Sequence, residues 1–211
     1  MTTEFQATCR NAGVIPVIEI DDAAMAADLG HAIEAGGLSV VELTLRTPAA
    51  LSALTAMKAA CPFLTVGMGT VLCADDAKRA ADAGADFLVS PGLTDNLAKA
   101  AKTLSLSFLP GVATPTDLMR AYDHGFNFLK FFPAEATGGI SYLKALSGPF
   151  GGVTFCPTGG IGPDQVSAYL SQPNVICVGG SWVARKALIK AQDWDGIKRN
   201  ARKANAAVKA S

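Results

Sequence analysis

Eight short apolar runs recur along this chain at roughly even intervals of about 20 to 26 residues, and this periodicity constrains the fold more than any other feature. Each run is nearly continuously apolar and ends at Gly, Pro or Thr. Such runs are typical of strands that are buried on both faces of a parallel sheet. The predicted strands begin near Val14, Val40, Leu64, Phe87, Ser107, Phe128, Val153 and Val175.

Ala-rich amphipathic segments separate the runs, and their apolar spacing predicts helices. Several begin with residues that favour a helix start: Asp21-Asp22, Thr47-Pro48, Thr114-Pro115 and Gly162-Pro163. The predicted helices cover residues 22–35, 48–60, 74–83, 94–102, 114–124 and 163–170, with a short leading helix near 4–11 and a last helix over 194–210.

Strand followed by helix, eight times over, predicts an α/β fold with a parallel sheet and crossover helices. A compact (β/α)8 TIM barrel fits within 211 residues, so we expect a single domain over residues 1–211. The alternative is an open doubly wound sheet. It usually has fewer strands, and no GxGxxG follows the first run here.

Composition excludes several classes of protein. Apolar residues make up 50% of the chain and charged residues 17%, the opposite of the balance in a disordered chain. Lys+Arg and Asp+Glu are both 18, so no broad surface attracts nucleic acid or an anionic membrane. The five cysteines include no CxxC, which favours a reducing compartment, and no apolar stretch reaches the roughly 18 residues of a membrane span. We therefore expect a soluble, cytoplasmic protein.

Lys130 is a charged side chain in the middle of the sixth run, Phe128-Leu129-Lys130-Phe131-Phe132, with an aromatic residue on each side. Burying an ammonium group is costly unless the group is paired. One interpretation is an amine nucleophile that forms a Schiff base, because desolvation between aromatic rings favours the neutral amine. The other is a structural lysine that pairs with a buried carboxylate or extends to the rim.

Glu42 lies in the second run, where strand alternation puts Glu42, Thr44 and Arg46 on one face. A carboxylate, a hydroxyl and a guanidinium together suit a general acid/base beside an anion-binding residue. They equally suit a buried structural ion pair. The sequence around Glu42 leaves both interpretations open.

Two glycine pairs end the last two runs: Gly159-Gly160 follows Thr158, and Gly179-Gly180 precedes Ser181. Exposed backbone N–H groups at a helix N-terminus bind phosphate, and barrels often place such a site after strands seven and eight. The alternative is that these glycines only permit tight turns.

Further candidates at the ends of runs are Thr70, the segment Ser90-Pro91-Gly92, and Glu19. The Thr70 hydroxyl either binds a carboxylate or caps the following helix, and Glu19 faces either the site or solvent. The only histidines, His31 and His124, lie in predicted helices away from strand ends. The sequence contains no HxH or HExxH pattern and predicts no metal site.

Several motifs together closely resemble the class I family of 2-keto-3-deoxy-6-phosphogluconate (KDPG) and 4-hydroxy-2-oxoglutarate (KHG) aldolases. The resemblance runs from about Val14 to Trp182, in family order and with family-like spacing. The motifs are VVELTLRTP (40–48), GMGTV (67–71), SPGLT (90–94), LPGVATPTDL (109–118), KFFPAEATGG (130–139), GPFGGVTFCPTGGI (148–161) and CVGGSW (177–182).

The resemblance implies that Lys130 is the Schiff-base lysine and Glu42 the acid/base residue. It implies these substrate-binding residues: Arg46 and Thr70 at the pyruvate carboxylate with Thr158 nearby, Pro91 and Phe132 along the pocket, and Gly159, Gly160, Gly180 and Ser181 at the phosphate end. It also implies a homotrimer that needs neither metal nor cofactor and takes a small phosphorylated keto acid.

Three alternatives stay open. One is an aldolase for the galactonate-derived epimer of the same substrate. Another is a phosphate-binding barrel isomerase or synthase, which needs no lysine on the sixth strand. The third is a catalytically silent barrel in which Glu42 and Lys130 are only a buried ion pair.

Overall fold

Short parallel strands alternate with helices along the chain in this computed structural model, which describes residues 2–209. The strands are β1 (Val14–Ile18), β2 (Val40–Thr44), β3 (Thr65–Gly69), β4 (Phe87–Val89), β5 (Ser107–Leu109), β6 (Gly111–Val112), β7 (Phe128–Phe131), β8 (Thr154–Pro157) and β9 (Val178–Gly180). The helices are α1 (Thr2–Ala12), α2 (Ala26–Ala35), α3 (Ala50–Ala60), α4 (Ala74–Asp82), α5 (Asp95–Thr103), α6 (Pro115–Asp123), α7 (Gly139–Ser147), α8 (Val166–Leu170), α9 (Lys186–Lys190) and α10 (Trp194–Lys209).

The strands form two parallel sheets. The larger has the order β5-β4-β3-β2-β1-β9 and the smaller has the order β6-β7-β8. Isolated bridges join Phe155 to Val175 and Thr158 to Gly179, so β8 lies beside the segment that leads into β9. Across the described residues the order runs along the chain without the reversal of a doubly wound sheet, which rules out that alternative. The fold is a mixed α/β domain with a curled parallel sheet.

The fifth apolar run forms two strands instead of the single strand expected, because Pro110 interrupts it. Proline has no N–H to donate to a ladder. The Pro110 carbonyl still accepts a hydrogen bond of 2.9 Å from the Lys130 N–H. The pairing with β7 therefore begins at Pro110 and continues into β6. The eighth run also differs from the prediction, because its strand begins only at Val178.

Two apolar clusters hold these elements together. The larger fills the layer between strands and helices. The smaller lies inside the curled sheet and includes Phe5 of α1 with Phe87 and Phe128, the first residues of β4 and β7. The Phe5 ring lies 4.7 Å from the Phe87 ring and 6.0 Å from the Phe128 ring. Helix α1 therefore covers the amino-terminal end of the strands, which leaves the carboxyl-terminal end for chemistry.

Most helices begin where their capping residues predict. Thr94 accepts from the Leu97 N–H at α5, and Thr114 forms a capping box with Asp117 at α6. Helix α3 is an exception and begins at Ala50, because the Thr47 hydroxyl donates to the Ile20 carbonyl instead of capping a helix.

The remaining differences concern helix extent. The predicted helices over 22–35 and 163–170 each open with a 3-10 turn, and α7 and α9 lie in segments for which no helix bounds were predicted. Ala210, the predicted end of the last helix, lies outside the described residues. Within residues 2–209, every helix is too short or too polar to cross a membrane.

Candidate active site

Lys130 and Glu42 form a buried ion pair inside the curled sheet. Lys130 Nζ lies 3.1 Å from Glu42 Oε1 and 3.4 Å from Oε2, and the two residues are 5% and 3% exposed. Strands β7 and β2 are not neighbours in either sheet, so the contact spans the interior. Both ions lose their hydration here. A protein in which well-packed apolar side chains replace such a buried pair is often equally or more stable. The pair is therefore better explained by chemistry than by stability.

Aromatic rings surround Lys130 unevenly. The ammonium lies 5.4 Å from the centre of the Phe132 ring, within range of a cation–π interaction. Phe131 faces the opposite way and packs against Tyr142 and Phe155 in the layer of helices. An aromatic residue thus contacts the lysine from the carboxyl-terminal side, where a substrate would enter.

Arg46 and Thr70 are also brought together. Arg46 lies two residues beyond the end of β2, and its Nε donates to the Thr70 hydroxyl at 3.1 Å. Thr70 has φ 59, a left-handed conformation that is unfavourable for a β-branched residue and that turns its side chain towards Arg46. Helix α4 begins at Ala74 with Cys73 as its N-cap, so Thr70 does not cap that helix.

Thr44 lies between the buried pair and the rim. Its hydroxyl donates to the Ile18 carbonyl at 3.1 Å, which anchors the end of β2 to β1. It lines a shallow depression with Arg46, next to the main cavity. The face predicted for Glu42, Thr44 and Arg46 therefore leads from the buried pair to the surface.

A cavity of about 350 Å³ opens at the carboxyl-terminal ends of the strands. Six residues predicted from the sequence line it: Arg46, Phe132, Thr158, Gly159, Gly160 and Ser181. Arg185, which no sequence motif indicated, lines it as well. A larger groove of about 540 Å³, lined by Asp95, Lys99 and Arg120, lies over α5 and α6, away from these strand ends.

Gly159 and Gly160 form the turn that follows β8. Their φ angles are 105 and 83, in the left-handed region that glycine adopts without strain. A Cβ at Gly160 would lie 2.8 Å from the Cβ of Glu135, so the turn packs directly on that residue. The Glu135 carboxylate accepts hydrogen bonds from Gln165 Nε2, at 2.9 Å, and from the Tyr169 hydroxyl. Burial and this hydrogen bond raise the pKa of Tyr169, so it stays a donor.

The rim of the cavity carries basic side chains. Lys186 Nζ lies 2.8 Å from both Glu19 and Asp21, which ties α9 to the end of β1. The hydrogen bond from Lys186 lowers the pKa of the Asp21 carboxyl, and the same contact raises the pKa of Lys186. Arg185 is exposed, and no ion pair to it occurs among the described residues. Glu19 thus belongs to an ion pair at the rim, and Arg185 keeps an unneutralised guanidinium.

Five of the predicted site residues do not line this cavity: Glu42, Thr70, Pro91, Lys130 and Gly180. Glu42 and Lys130 form the buried pair, and Thr70 contacts Arg46, which does line the cavity. The backbone of Pro91 packs against Gly111, where a Cβ would lie 2.2 Å from the Pro91 carbonyl carbon. Gly180 leaves room for the Trp182 ring, since a Cβ there would lie 2.6 Å from Trp182 Nε1. Within the described residues, that indole nitrogen is the one buried side-chain donor without a partner.

Cys156 and Cys177 are buried, as expected of small core residues. Burial, followed by contacts with Cys156 and Cys9, raises the pKa of the Cys177 thiol, which disfavours the reactive thiolate.

Comparison with known proteins gives the family. The model of the KDPG and KHG aldolase family matches residues 5–200. A 2-dehydro-3-deoxy-phosphogluconate aldolase of Pseudomonas aeruginosa is 43% identical over 96% of this chain and 92% of its own length. The KHG/KDPG aldolase of Escherichia coli is 44% identical over 90% of both chains.

Solved structures agree with this assignment. The KDPG aldolase of Legionella pneumophila, with pyruvate captured at low pH as a covalent carbinolamine intermediate, superposes with a TM-score of 0.91 at 43% identity. The match covers 93% of this chain and 96% of that one. The two folds therefore agree along nearly their whole length. The chain belongs to the KDPG and KHG aldolase family.

Proposed function

We propose that this chain is a class I aldolase that cleaves 2-keto-3-deoxy-6-phosphogluconate into pyruvate and glyceraldehyde 3-phosphate through a Schiff base on Lys130. The observation that carries the proposal is the buried contact of 3.1 Å between Lys130 Nζ and Glu42 Oε1. An amine beside a carboxylate that can hold its proton is what addition to a ketone requires. The carbinolamine of the Legionella relative is the adduct that an amine and the pyruvate ketone form.

The first half of the reaction builds an electron sink. Glu42 takes a proton from the Lys130 ammonium, and the neutral amine attacks the C2 ketone of the substrate. Glu42 then returns a proton to the carbinolamine hydroxyl, which leaves as water. The product is an iminium in which Lys130 nitrogen is doubly bonded to C2. Its positive charge withdraws electrons from C3, the role that a Lewis acid fills in other aldolases.

The second half breaks the carbon–carbon bond. Glu42, through a water molecule, takes the proton of the C4 hydroxyl, and the electrons of the C3–C4 bond move to the iminium. Glyceraldehyde 3-phosphate leaves, and an enamine remains on Lys130. Protonation at C3 and hydrolysis of the resulting iminium release pyruvate and restore the lysine.

The two ends of the substrate need different partners. We assign the pyruvate carboxylate to Arg46 and Thr70, supported by their mutual hydrogen bond of 3.1 Å at the mouth of the buried pair, with Thr158 nearby. Pro91 and Phe132 are assigned to the pocket wall, and the ring contact between Phe132 and Lys130 supports the second of these.

The phosphate is assigned to the end of the cavity that Gly159, Gly160 and Ser181 line, with Gly180 directly before Ser181 in the chain. Turns of this kind present backbone N–H groups to an anion. Arg185 joins the predicted set because its guanidinium lines the same cavity and carries an unneutralised charge. A charge-assisted bond from arginine to phosphate favours the phosphorylated substrate over 4-hydroxy-2-oxoglutarate, the second substrate that we propose.

We also propose that the strands close into one (β/α)8 barrel, within a single domain over residues 1–211. Support comes from the hydrogen bond between the Lys130 N–H and the Pro110 carbonyl. Pro110 lies between β5 and β6, so this bond allows the two to count as one strand that joins the larger sheet to the smaller. The bridge from Thr158 to Gly179 supports the second junction between the two sheets, where β8 meets β9.

A cytoplasmic homotrimer is the proposed assembly. The exposed apolar side chains Met119 and Tyr122 on α6 support self-association, since exposed apolar groups side by side mark contact surfaces. The cysteines are free thiols, which fits a reducing compartment.

Borohydride trapping with pyruvate tests the chemistry. We expect reduction to fix a pyruvate-derived adduct, seen by intact mass and mapped to the peptide that holds Lys130. Lys130→Met should give no adduct, whereas Lys144→Met, on helix α7, should be labelled like the wild type. A folded protein without an adduct would rule out the class I mechanism and favour the phosphate-binding isomerase or synthase.

The double variant Glu42→Leu/Lys130→Met tests the silent-barrel alternative. In our reading it folds, since a buried pair can often be replaced by apolar groups, but loses all cleavage activity. Comparing the two C4 epimers as substrates then decides between the gluconate- and galactonate-derived compounds.

A further inference from the structure

A second cluster of polar side chains lies away from the cavity, where helices α2 and α3 pack together. His31 and Glu34 are one turn apart on α2, and Cys61 is the C-cap residue of α3. His31 Nδ1 lies 3.4 Å from Cys61 Sγ and 3.8 Å from Glu34 Oε2. The three candidate ligand atoms all lie within 4.8 Å of one another.

We propose that His31, Glu34 and Cys61 bind a zinc ion. Zinc takes nitrogen, sulfur and carboxylate ligands in tetrahedral geometry. Bond lengths of about 2.3 Å to sulfur and about 2.0 to 2.2 Å to nitrogen and oxygen place sulfur and nitrogen ligands about 3.6 Å apart, and nitrogen and oxygen about 3.4 Å apart. The observed spacings of 3.4 Å and 3.8 Å differ from these by a few tenths of an ångström. The third pair, Cys61 and Glu34, lies within 4.8 Å, against about 3.6 Å between sulfur and oxygen in a tetrahedral site, so side-chain rotations that close this pair would complete the site.

The backbone around Cys61 holds the thiol in place. The Cys61 N–H donates to the Met57 carbonyl at 2.8 Å, and its carbonyl accepts from the Leu64 N–H at 3.1 Å. Gly30 supplies the space, since a Cβ there would lie only 2.6 Å from Cys61 Sγ. The thiol is buried, whereas the His31 side chain is 58% exposed, so an ion can reach the cluster past His31.

The donor set selects the metal. A thiolate and an imidazole favour zinc or cobalt over magnesium and calcium, which prefer oxygen ligands. On binding, the Cys61 thiol gives its proton to the buffer, and water fills the fourth position. The bound ion would tie α2 to α3 and thereby stabilise the domain. This inference does not depend on the proposed aldolase activity.

Metal titration of the full-length protein tests the proposal. Calorimetry with zinc should give one site per chain, and cobalt should give the absorption bands of a tetrahedral ion with a thiolate ligand. Cys61→Ser should remove the thiolate band. It should also weaken zinc binding by more than the roughly 10- to 100-fold cost of losing a mere outer-shell partner. His31→Ala removes an exposed side chain, so it should fold normally and weaken binding as strongly.

Matched controls come from the same chain. Cys73→Ser removes an exposed thiol, and His124→Ala removes the other histidine; both should bind zinc like the wild type. Zinc should also raise the Tm of the wild type but not of His31→Ala, because only ligands that bind the folded state stabilise it. Absence of zinc binding by the wild type, or equal binding by His31→Ala and the wild type, would overturn the proposal.

Discussion

Replacing Gly69 by alanine should separate the Glu42 carboxylate from Lys130 and leave the lysine in place. Gly69 is paired with Thr44 in the β2–β3 register, and a Cβ there would lie 2.0 Å from Glu42 Oε1 and 2.6 Å from its Cδ. Ordinary contact begins at 3.4 Å, so the carboxylate must move by the difference between 3.4 and 2.0 Å, about 1.4 Å. Misplacing a reacting group by about 1 Å can cost about 10²-fold in rate, so we expect kcat to fall at least that far.

The assay is steady-state cleavage of the phosphorylated substrate, with borohydride trapping beside it. Gly69→Ala should still trap pyruvate on Lys130, but more slowly, and its KM should change less than its kcat. Gly67→Ala, on the same strand as Gly69, is the matched control. Its Cβ would lie 2.3 Å from the Phe87 ring of β4, and no Glu42 atom is among its nearest neighbours. If a folded Gly69→Ala enzyme kept wild-type kcat, or if both variants lost activity equally, the role given to Glu42 would be wrong.

Three further predictions concern other parts of the fold. Ser181→Ala should raise KM for the phosphorylated substrate more than for 4-hydroxy-2-oxoglutarate, as measured in parallel assays, because only the first carries a phosphate. Asp117→Ala should lower the free energy of unfolding at pH 7 by about 1 kcal/mol, measured in urea, through loss of the capping box. Burial opposes ionisation of Asp117, but hydrogen bonds from Thr114 and Ala113 outweigh it and lower its pKa, so this difference should narrow as the pH falls below about 4. Tyr169→Phe should lower the free energy of unfolding by about 1 to 3 kcal/mol, also measured in urea, because it removes the buried hydroxyl that donates to the Glu135 carboxylate.

Each of these three has a control and a contrary result. Equal rises in KM for both substrates would place Ser181 outside the phosphate end. Asp123→Ala, exposed at the other end of α6, should leave stability nearly unchanged. A difference for Asp117→Ala that persists undiminished at pH 3 would contradict the capping explanation. Tyr122→Phe, on the exposed face of α6, should lower the free energy of unfolding far less than Tyr169→Phe. Equal losses would show that the hydrogen bond from Tyr169 to Glu135 does not stabilise the fold.

Periodicity located the strands well, because a strand that is buried on both faces needs an apolar residue at almost every consecutive position. Each of the eight apolar runs contains a strand. The errors came from longer-range hydrogen bonds: Thr47 was expected to open a helix, but its hydroxyl bonds to Ile20, which lies 27 positions away. The bounds of helix α7 were not predicted because it begins at a glycine pair, Gly138-Gly139, which by itself favours a turn.

The candidate site was only partly visible in the sequence. Lys130 and Glu42 stood out because charged residues are rare in apolar runs. Arg185 did not, because a basic residue in a polar segment after a strand is ordinary. The cluster of His31, Glu34 and Cys61 was hidden for another reason: Cys61 is 30 positions from His31, and no short motif joins them.

The sequence by itself determined where each of the eight strands lies, the alternation of strands with helices along the chain, and the family to which the motifs are similar. These properties depend on local patterns of burial, on capping residues and on motifs read along the chain. Only the tertiary structure decided which charges meet. Lys130 and Glu42 are separated by 88 positions, and their contact exists because the sheet curls and brings two non-adjacent strands face to face. Coulombic and hydrogen-bond energies depend on distance in space, and that distance is fixed by packing instead of by separation along the chain.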